Sequence, residues 1–122
     1  PLSSMSPTFL IGEDRRAVIG TPGGSRIITM VLLGILDFTA GNPPESWVAL
    51  PRFHHQYTPD QILAEKNAFT PGQIEALEAM GHTVKVRDRT WGNMHGVMWD
   101  RELGQVVAGS DPRWPSGRAI VR

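Results

Sequence analysis

Cysteine is missing from the 122 residues, which excludes disulfides, thiolate catalysis and cysteine-ligated metals. Net charge is missing too, because twelve Lys and Arg offset twelve Asp and Glu. No global field therefore draws the chain to nucleic acid or to an anionic membrane surface. There is no membrane-length apolar run: the longest, Ile27–Leu36, falls well short of the ~20 residues of a span, and Asp37 closes it. The first residues, Pro-Leu-Ser-Ser-Met-Ser-Pro, lack the basic segment and apolar core of a signal peptide. No Gly-x-Ser-x-Gly elbow surrounds Ser3 or Ser4, so a nucleophilic serine of that type is unsupported. Gly23 and Gly24 are not followed by the Lys and Ser/Thr that hold phosphate and magnesium in a nucleotide loop.

What is present suits a globular chain. Hydrophobic residues make up 40% and charged residues 20%, enough apolar content for a modest core in a single domain over residues 1–122. The chain opens on Pro1 rather than methionine. The expectation is either a removed initiator or a start inside a larger protein.

Strands are expected at Thr8–Ile11 and Ala17–Gly20 around a polar turn, and at Gln61–Lys66. Arg26–Phe38 is apolar almost all round, which predicts a helix buried on most sides between a sheet and another layer. Pro43-Pro44-Glu45 opens a short helix through Leu50. Arg52–Tyr57 is expected to be extended. Thr70-Pro71-Gly72-Gln73 carries a capping box with proline at the first helical position, and Gly81 stops that helix. Its Ile74, Leu77 and Met80 share one face. Thr83–Arg87 alternates as a strand, and Gly96–Trp99 with Gln105–Gly109 forms a hairpin. The tail from Asp111, with Pro112 and Pro115, is expected to be irregular and on the surface. The mixture predicts a layered α+β domain with sheet pairs mostly antiparallel.

Thr21-Pro-Gly-Gly-Ser-Arg-Ile-Ile-Thr29 organises the chain, because it joins a short apolar run to the longest one. Two glycines allow a sharp turn, and Ser25 reads as N-cap of the helix beyond. Such a loop either makes a tight strand-to-helix connection or holds an anion on free amides. Serving as backbone donors to an oxyanion, as in acyl transfer, is the better chemical use of Gly23 and Gly24. His54 and His55 are adjacent in an extended segment and face opposite ways, and His82 and His95 lie far along the chain. No metal site is therefore assigned and no cofactor is called for. Pro1 could act as a tautomerase-like base, but Leu2-Ser3-Ser4 lacks the apolar alternation of a barrel-forming first strand. Trp47, Trp91, Trp99 and Trp114 are scattered as core or rim residues.

Three blocks carry a family resemblance: Pro1–Thr8 (Pro-Leu-Ser-Ser-Met-Ser-Pro-Thr), Gly20–Thr29, and Ala49–Gln56 (Ala-Leu-Pro-Arg-Phe-His-His-Gln). Weaker blocks follow at Glu65-Lys66, Phe69–Gly81 and Gly109–Arg113. In this order and spacing the chain resembles the C-terminal part of the small subunit of gamma-glutamyltranspeptidases. The resemblance implies a partial αββα sandwich of the N-terminal-nucleophile hydrolase type, made by self-cleavage of a precursor. In that family a threonine exposed by the cleavage attacks the gamma-glutamyl carbonyl of glutathione-like substrates, and the acyl group passes to an amino acid, a peptide or water.

By resemblance, Ser3 and Ser4 hold the substrate's alpha-carboxylate, and the amides of Gly23 and Gly24 form the oxyanion hole. No catalytic role carries over to His54 and His55. The family's threonine nucleophile and its alpha-amino contacts lie upstream of the serine pair, outside these residues, and Thr8, Thr21 and Thr29 are internal. The chain by itself is expected to be inactive and to expose apolar surface. Its expected partners are a gamma-glutamyl small molecule or peptide, and the remainder of the precursor, a large subunit or a second copy covering the missing layers. Kinship suggests a periplasmic or secreted setting. The alternatives are a non-catalytic truncated paralogue or structural fragment, and a cephalosporin-type acylase of the same superfamily. Trp91-Gly-Asn-Met-His95 departs from the small-residue stretch usual at that place.

Overall fold

The structure, a computed structural model, describes residues 5–114 and 117–121. In chain order the elements are β1 (Thr8–Ile11), β2 (Arg15–Gly20), a 3-10 turn (Gly24–Arg26), α1 (Ile27–Thr39), α2 (Pro44–Ala49), β3 (Phe53–Gln56), β4 (Gln61–Glu65), α3 (Pro71–Ala79), β5 (Val84–Arg87), β6 (His95–Asp100) and β7 (Gln105–Ser110). They divide into two compact units, one drawn from Pro1–Leu50 and Gly92–Arg122, the other from Pro51–Trp91.

The first unit is an antiparallel sheet in the order β1-β2-β6-β7. Its register sorts the side chains into rows, because residues opposite one another share a face. Leu10, Ala17, Met98 and Val107 form one row, and Thr8, Ile19, Gly96 and Gly109 the next on the same face. Helices α1 and α2 cover that face, and the glycines let them come close. A Cβ on Gly109 would stand 2.6 Å from the Pro44 backbone, and one on Gly96 3.1 Å from the Trp47 ring. Gly34 of α1 does the same for Ile19, whose Cδ1 would meet a Cβ at 2.3 Å. Phe38 and Trp47 meet edge to face at 5.6 Å and close the core between the helices.

The opposite face carries the rows Phe9, Val18, Val97, Ala108 and Ile11, Arg16, Trp99, Val106. It is largely bare: Phe9 is 70% exposed, Ile11 74% and Trp99 47%. Helix α1 was expected to be buried on most sides. It buries one stripe, Ile27, Met30, Gly34 and Phe38, while Ile28, Leu32 and Leu36 remain exposed. The reason is that one sheet covers a single side of it. One α layer on one β layer is half of an αββα sandwich.

The second unit pairs β3 with β4 antiparallel and β4 with β5 parallel. The buried Glu65 carboxylate accepts from the N–H groups of Arg52 and Trp91, each at 3.1 Å. The Glu65 N–H donates to Arg52 O at 2.8 Å, and the Arg52 guanidinium donates to Trp91 O. One carboxylate thus ties the two ends of the unit together. The α3 capping box is complete, with Gln73 N–H on Thr70 Oγ1 at 3.3 Å and Thr70 N–H on Gln73 Oε1 at 2.8 Å. Helix α3 buries no residue, so the expected Ile74, Leu77, Met80 face is covered only in part.

Candidate functional site: the glycine loop

The loop after β2 turns on two residues in backbone regions that L side chains rarely adopt. Gly23 has φ 153° and Gly24 φ 61°, so glycine is required at both. Gly23 lies so close to Met30 that a Cβ would sit 2.4 Å from its Cε. Beyond the pair, Arg26 N–H donates to Gly23 O at 3.3 Å and Ile27 N–H to Gly24 O. These bonds form the 3-10 turn that leads into α1. Ser25 was expected to cap the helix. It falls inside this turn instead, the N-cap position goes to Arg26, and no side chain caps the helix. The tight glycine turn lets the main chain satisfy the first amides of α1 itself.

Two amides are left over. Gly23 and Gly24 are exposed, and among the described residues neither N–H donates a hydrogen bond. Two adjacent amides of exposed residues, neither with an acceptor among the described residues, can receive an anion or a developing oxyanion.

Beside the loop lies a hollow of about 260 Å³, lined by Met5–Pro7, Gly20–Pro22, Asn93 and His95. It brings the residues next in sequence to Ser3 and Ser4 against those that lead into Gly23. Ser3 and Ser4 themselves lie outside the described residues, as does Pro1. Thr21 is buried, at 4% exposure. Its hydroxyl donates to Pro22 O at 2.9 Å and accepts from Asn93 N–H at 3.3 Å.

His95 lines the hollow beside the loop, whereas His54 and His55 belong to the second unit. His54 is buried, with Nε2 2.9 Å from Gln56 Oε1, and His55 is paired with Asp60 at 2.8 Å. They alternate across β3 as expected, and no group of three or more His, Cys, Asp or Glu among the described residues could hold a metal.

The described tail is irregular and largely exposed as expected, except that Asp111 is buried and Arg113 half-buried. Asp111 is 1% exposed. Its carboxylate accepts from Met94 N–H at 3.0 Å, Arg113 N–H at 3.0 Å and the Arg113 guanidinium at 3.1 Å. The same guanidinium donates to Val48 O at 3.0 Å and Leu50 O at 2.7 Å, capping the end of α2. An Asp and an Arg either side of a proline were the available signal, since Asp readily bonds the N–H two residues on.

The gamma-glutamyltranspeptidase family profile matches residues 1–121. The chain is 41% identical over 117 residues to the glutathione hydrolase proenzyme of Escherichia coli (strain K12), covering 93% of this chain and 19% of that protein. It is 42% identical over 126 residues to the Pseudomonas aeruginosa glutathione hydrolase proenzyme, covering 98% of this chain and 21% of the relative. The chain therefore spans about a fifth of the length of these relatives. Among solved structures, an acivicin-inhibited gamma-glutamyltranspeptidase superposes with a TM-score of 0.83 at 33% identity, over 94% of this chain and 63% of that one. A Helicobacter pylori gamma-glutamyltranspeptidase mutant gives 0.82 at 32% identity, over 93% and 63%. The Bacillus anthracis transpeptidase CapD, at 20% identity and a TM-score of 0.81, shares the fold. In sequence along its length and in fold, this chain belongs to the gamma-glutamyltranspeptidase family.

Proposed function

We propose that the chain is part of an enzyme that transfers or hydrolyses gamma-glutamyl groups, with glutathione-like compounds as donors. The observation that carries the reading is the pair of unspent amides at Gly23 and Gly24, held on a turn that only glycine can make. In acyl transfer the carbonyl oxygen gains negative charge as the nucleophile adds, and the two N–H groups receive it. Pre-set donors need no reorganisation at that moment, and loss of one such donor costs roughly 10²–10³ in kcat.

Ser3 and Ser4 hold the donor's alpha-carboxylate in this reading. Its support is that Met5–Pro7, directly after them, line the same hollow as Gly20–Pro22, directly before the glycines. That adjacency matches a short substrate lying with its carboxylate towards the serines and its scissile carbonyl at the loop. A threonine outside these 122 residues supplies the nucleophile, with its own amine as base. The remainder of the precursor covers the bare sheet face and the Ile28, Leu32, Leu36 stripe, an apolar area that calls for a packing partner.

Kinetics on the complete processed protein test this. Replacing Ser3 and Ser4 by alanine is expected to raise KM for a gamma-glutamyl anilide by about tenfold or more, the loss of charge-assisted hydrogen bonds. The penalty disappears with 4-aminobutyryl anilide, which lacks the alpha-carboxylate. An equal penalty on both substrates removes the serines from carboxylate binding. A wild-type protein that cleaves simple acyl anilides but no gamma-glutamyl amide points to an acylase instead.

A further inference from the structure

We propose that Thr21 is a positioning residue of the oxyanion site, whose hydroxyl sets the plane of the peptide that carries the Gly23 N–H. The role rests on the reading of Gly23 and Gly24 as oxyanion donors.

The Pro22 carbonyl and the Gly23 N–H are the two ends of one planar trans peptide group. A hydrogen bond that fixes the direction of the oxygen therefore fixes the direction of the N–H on the other side. Thr21 Oγ1 makes that bond, donating to Pro22 O at 2.9 Å. A peptide flanked by a glycine at φ 153° meets little steric resistance to rotation, so the restraint has to come from a partner.

The hydroxyl is itself held. Asn93 N–H donates to it at 3.3 Å, which occupies one lone pair and leaves the hydroxyl proton for the carbonyl. Thr21 is almost wholly buried, so water is a poor competitor for either bond. The next residue, Met94, donates its N–H to buried Asp111 at 3.0 Å. The lock on the loop thus runs into the core of the unit.

The second donor is restrained in the same manner by main chain alone. The Gly23 carbonyl belongs to the peptide that bears the Gly24 N–H, and it accepts from Arg26 N–H at 3.3 Å. Each proposed oxyanion donor thus has its own carbonyl end tied down. Only the first tie uses a side chain. A bonded carbonyl also polarises its peptide, which makes the N–H a stronger donor.

The test uses the complete processed enzyme with Thr21→Val and Thr21→Ser. Valine keeps the shape but has no proton to give, and kcat for a gamma-glutamyl anilide is expected to fall about 10- to 100-fold, part of the full value of a donor. KM is expected to stay within about twofold, because the ground state makes less use of the oxyanion amides. Serine keeps the hydroxyl and is expected to retain kcat within about threefold. Affinity for a glutamate analogue with a boronic acid at the scissile carbon, which turns tetrahedral on the nucleophile, is expected to fall along with kcat. Affinity for glutamate itself is expected to hold.

A merely structural role would weaken both ligands alike, and that result overturns the proposal. So does a valine variant with undiminished kcat, or a serine variant as slow as valine. If Thr21→Val does not fold, Thr21→Ala against Thr21→Ser makes the same comparison with the same criteria. Wild-type enzyme that cleaves neither gamma-glutamyl nor simple acyl anilides overturns the oxyanion reading, and this role with it. Active wild type with an unaffected Thr21→Val overturns the role of Thr21 alone.

Discussion

The glycine loop and the Asp111–Arg113 clasp belong to the same unit, and both gather main-chain polar groups around a short turn. They dispose of those groups in opposite ways. In the clasp these interactions close inward: a carboxylate of a residue that is 1% exposed takes two N–H groups and a guanidinium, which goes on to two carbonyls. In the loop the carbonyls of Pro22, Gly23 and Gly24 are all bonded, yet the exposed amides of Gly23 and Gly24 donate nothing among the described residues. A buried, fully paired charge cluster stabilises this fold. Bonded carbonyls behind idle amides are the arrangement that the proposed reaction would use.

The largest expected effect breaks the clasp. Asp111→Ala leaves the Arg113 guanidinium short of its counter-charge and the Met94 and Arg113 N–H groups without acceptors. A loss of about 3–5 kcal/mol is expected, as for any buried pair stripped of one partner. Denaturant titration of the folded protein measures it, and a loss below about 1 kcal/mol would reduce the clasp to a surface-type pair.

Gly24→Ala tests the other side. No atom lies within 4 Å of the added Cβ, but φ 61° strains it, at about 1–2 kcal/mol. Relief of that strain rotates the amide, so kcat of the complete enzyme is expected to fall about 10²-fold with folding largely preserved. Equal kcat at equal stability would make the loop a plain connection.

Smaller effects are expected at the exposed polar contacts of the second unit. Thr70→Ala removes the acceptor for Gln73 N–H and is expected to cost about 1 kcal/mol of stability, with kcat unchanged. A changed kcat there would remove the contrast between capping and chemistry. The Lys66–Asp88 pair is the weakest, at 2.8 Å but with side chains 70% and 89% exposed. The hydrogen bond and charge of Lys66 hold Asp88 below the ordinary carboxylate range, and the same contact raises Lys66. The Asp88 contribution is present above its unfolded pKa and lost as pH falls through the folded one. That of Lys66 is present below its unfolded pKa and lost as pH rises through the folded one. Asp88→Asn is expected to shift the denaturation midpoint barely at neutral pH, and not at all in about 0.5 M salt.

Much of this was legible in the residues. The neighbouring runs Gly96–Trp99 and Gln105–Gly109 marked the β6–β7 hairpin and Thr70-Pro-Gly-Gln marked α3, because both signals are local. Gly23 and Gly24 were legible as a sharp turn, and their positive φ values bear this out. Three features depended on distant contacts. Ser25 gave way to a 3-10 turn once the glycine backbone satisfied the helix amides. The apolar circumference of α1 read as burial on most sides, although a single sheet covers one stripe. Asp111 and Arg113 looked like a polar tail because their partners, Met94, Val48 and Leu50, are far away in sequence. Thr21 escaped notice for the same reason, with Asn93 N–H arriving from 72 residues on.

The central claim is that these residues hold the oxyanion side of a gamma-glutamyl transfer site whose nucleophile lies elsewhere. Turnover of a chromogenic gamma-glutamyl anilide, by the pure 122-residue chain beside the complete processed protein, measures it most directly. The expected result is no turnover by the chain and clear turnover by the complete protein. Turnover by the chain alone would contradict the account.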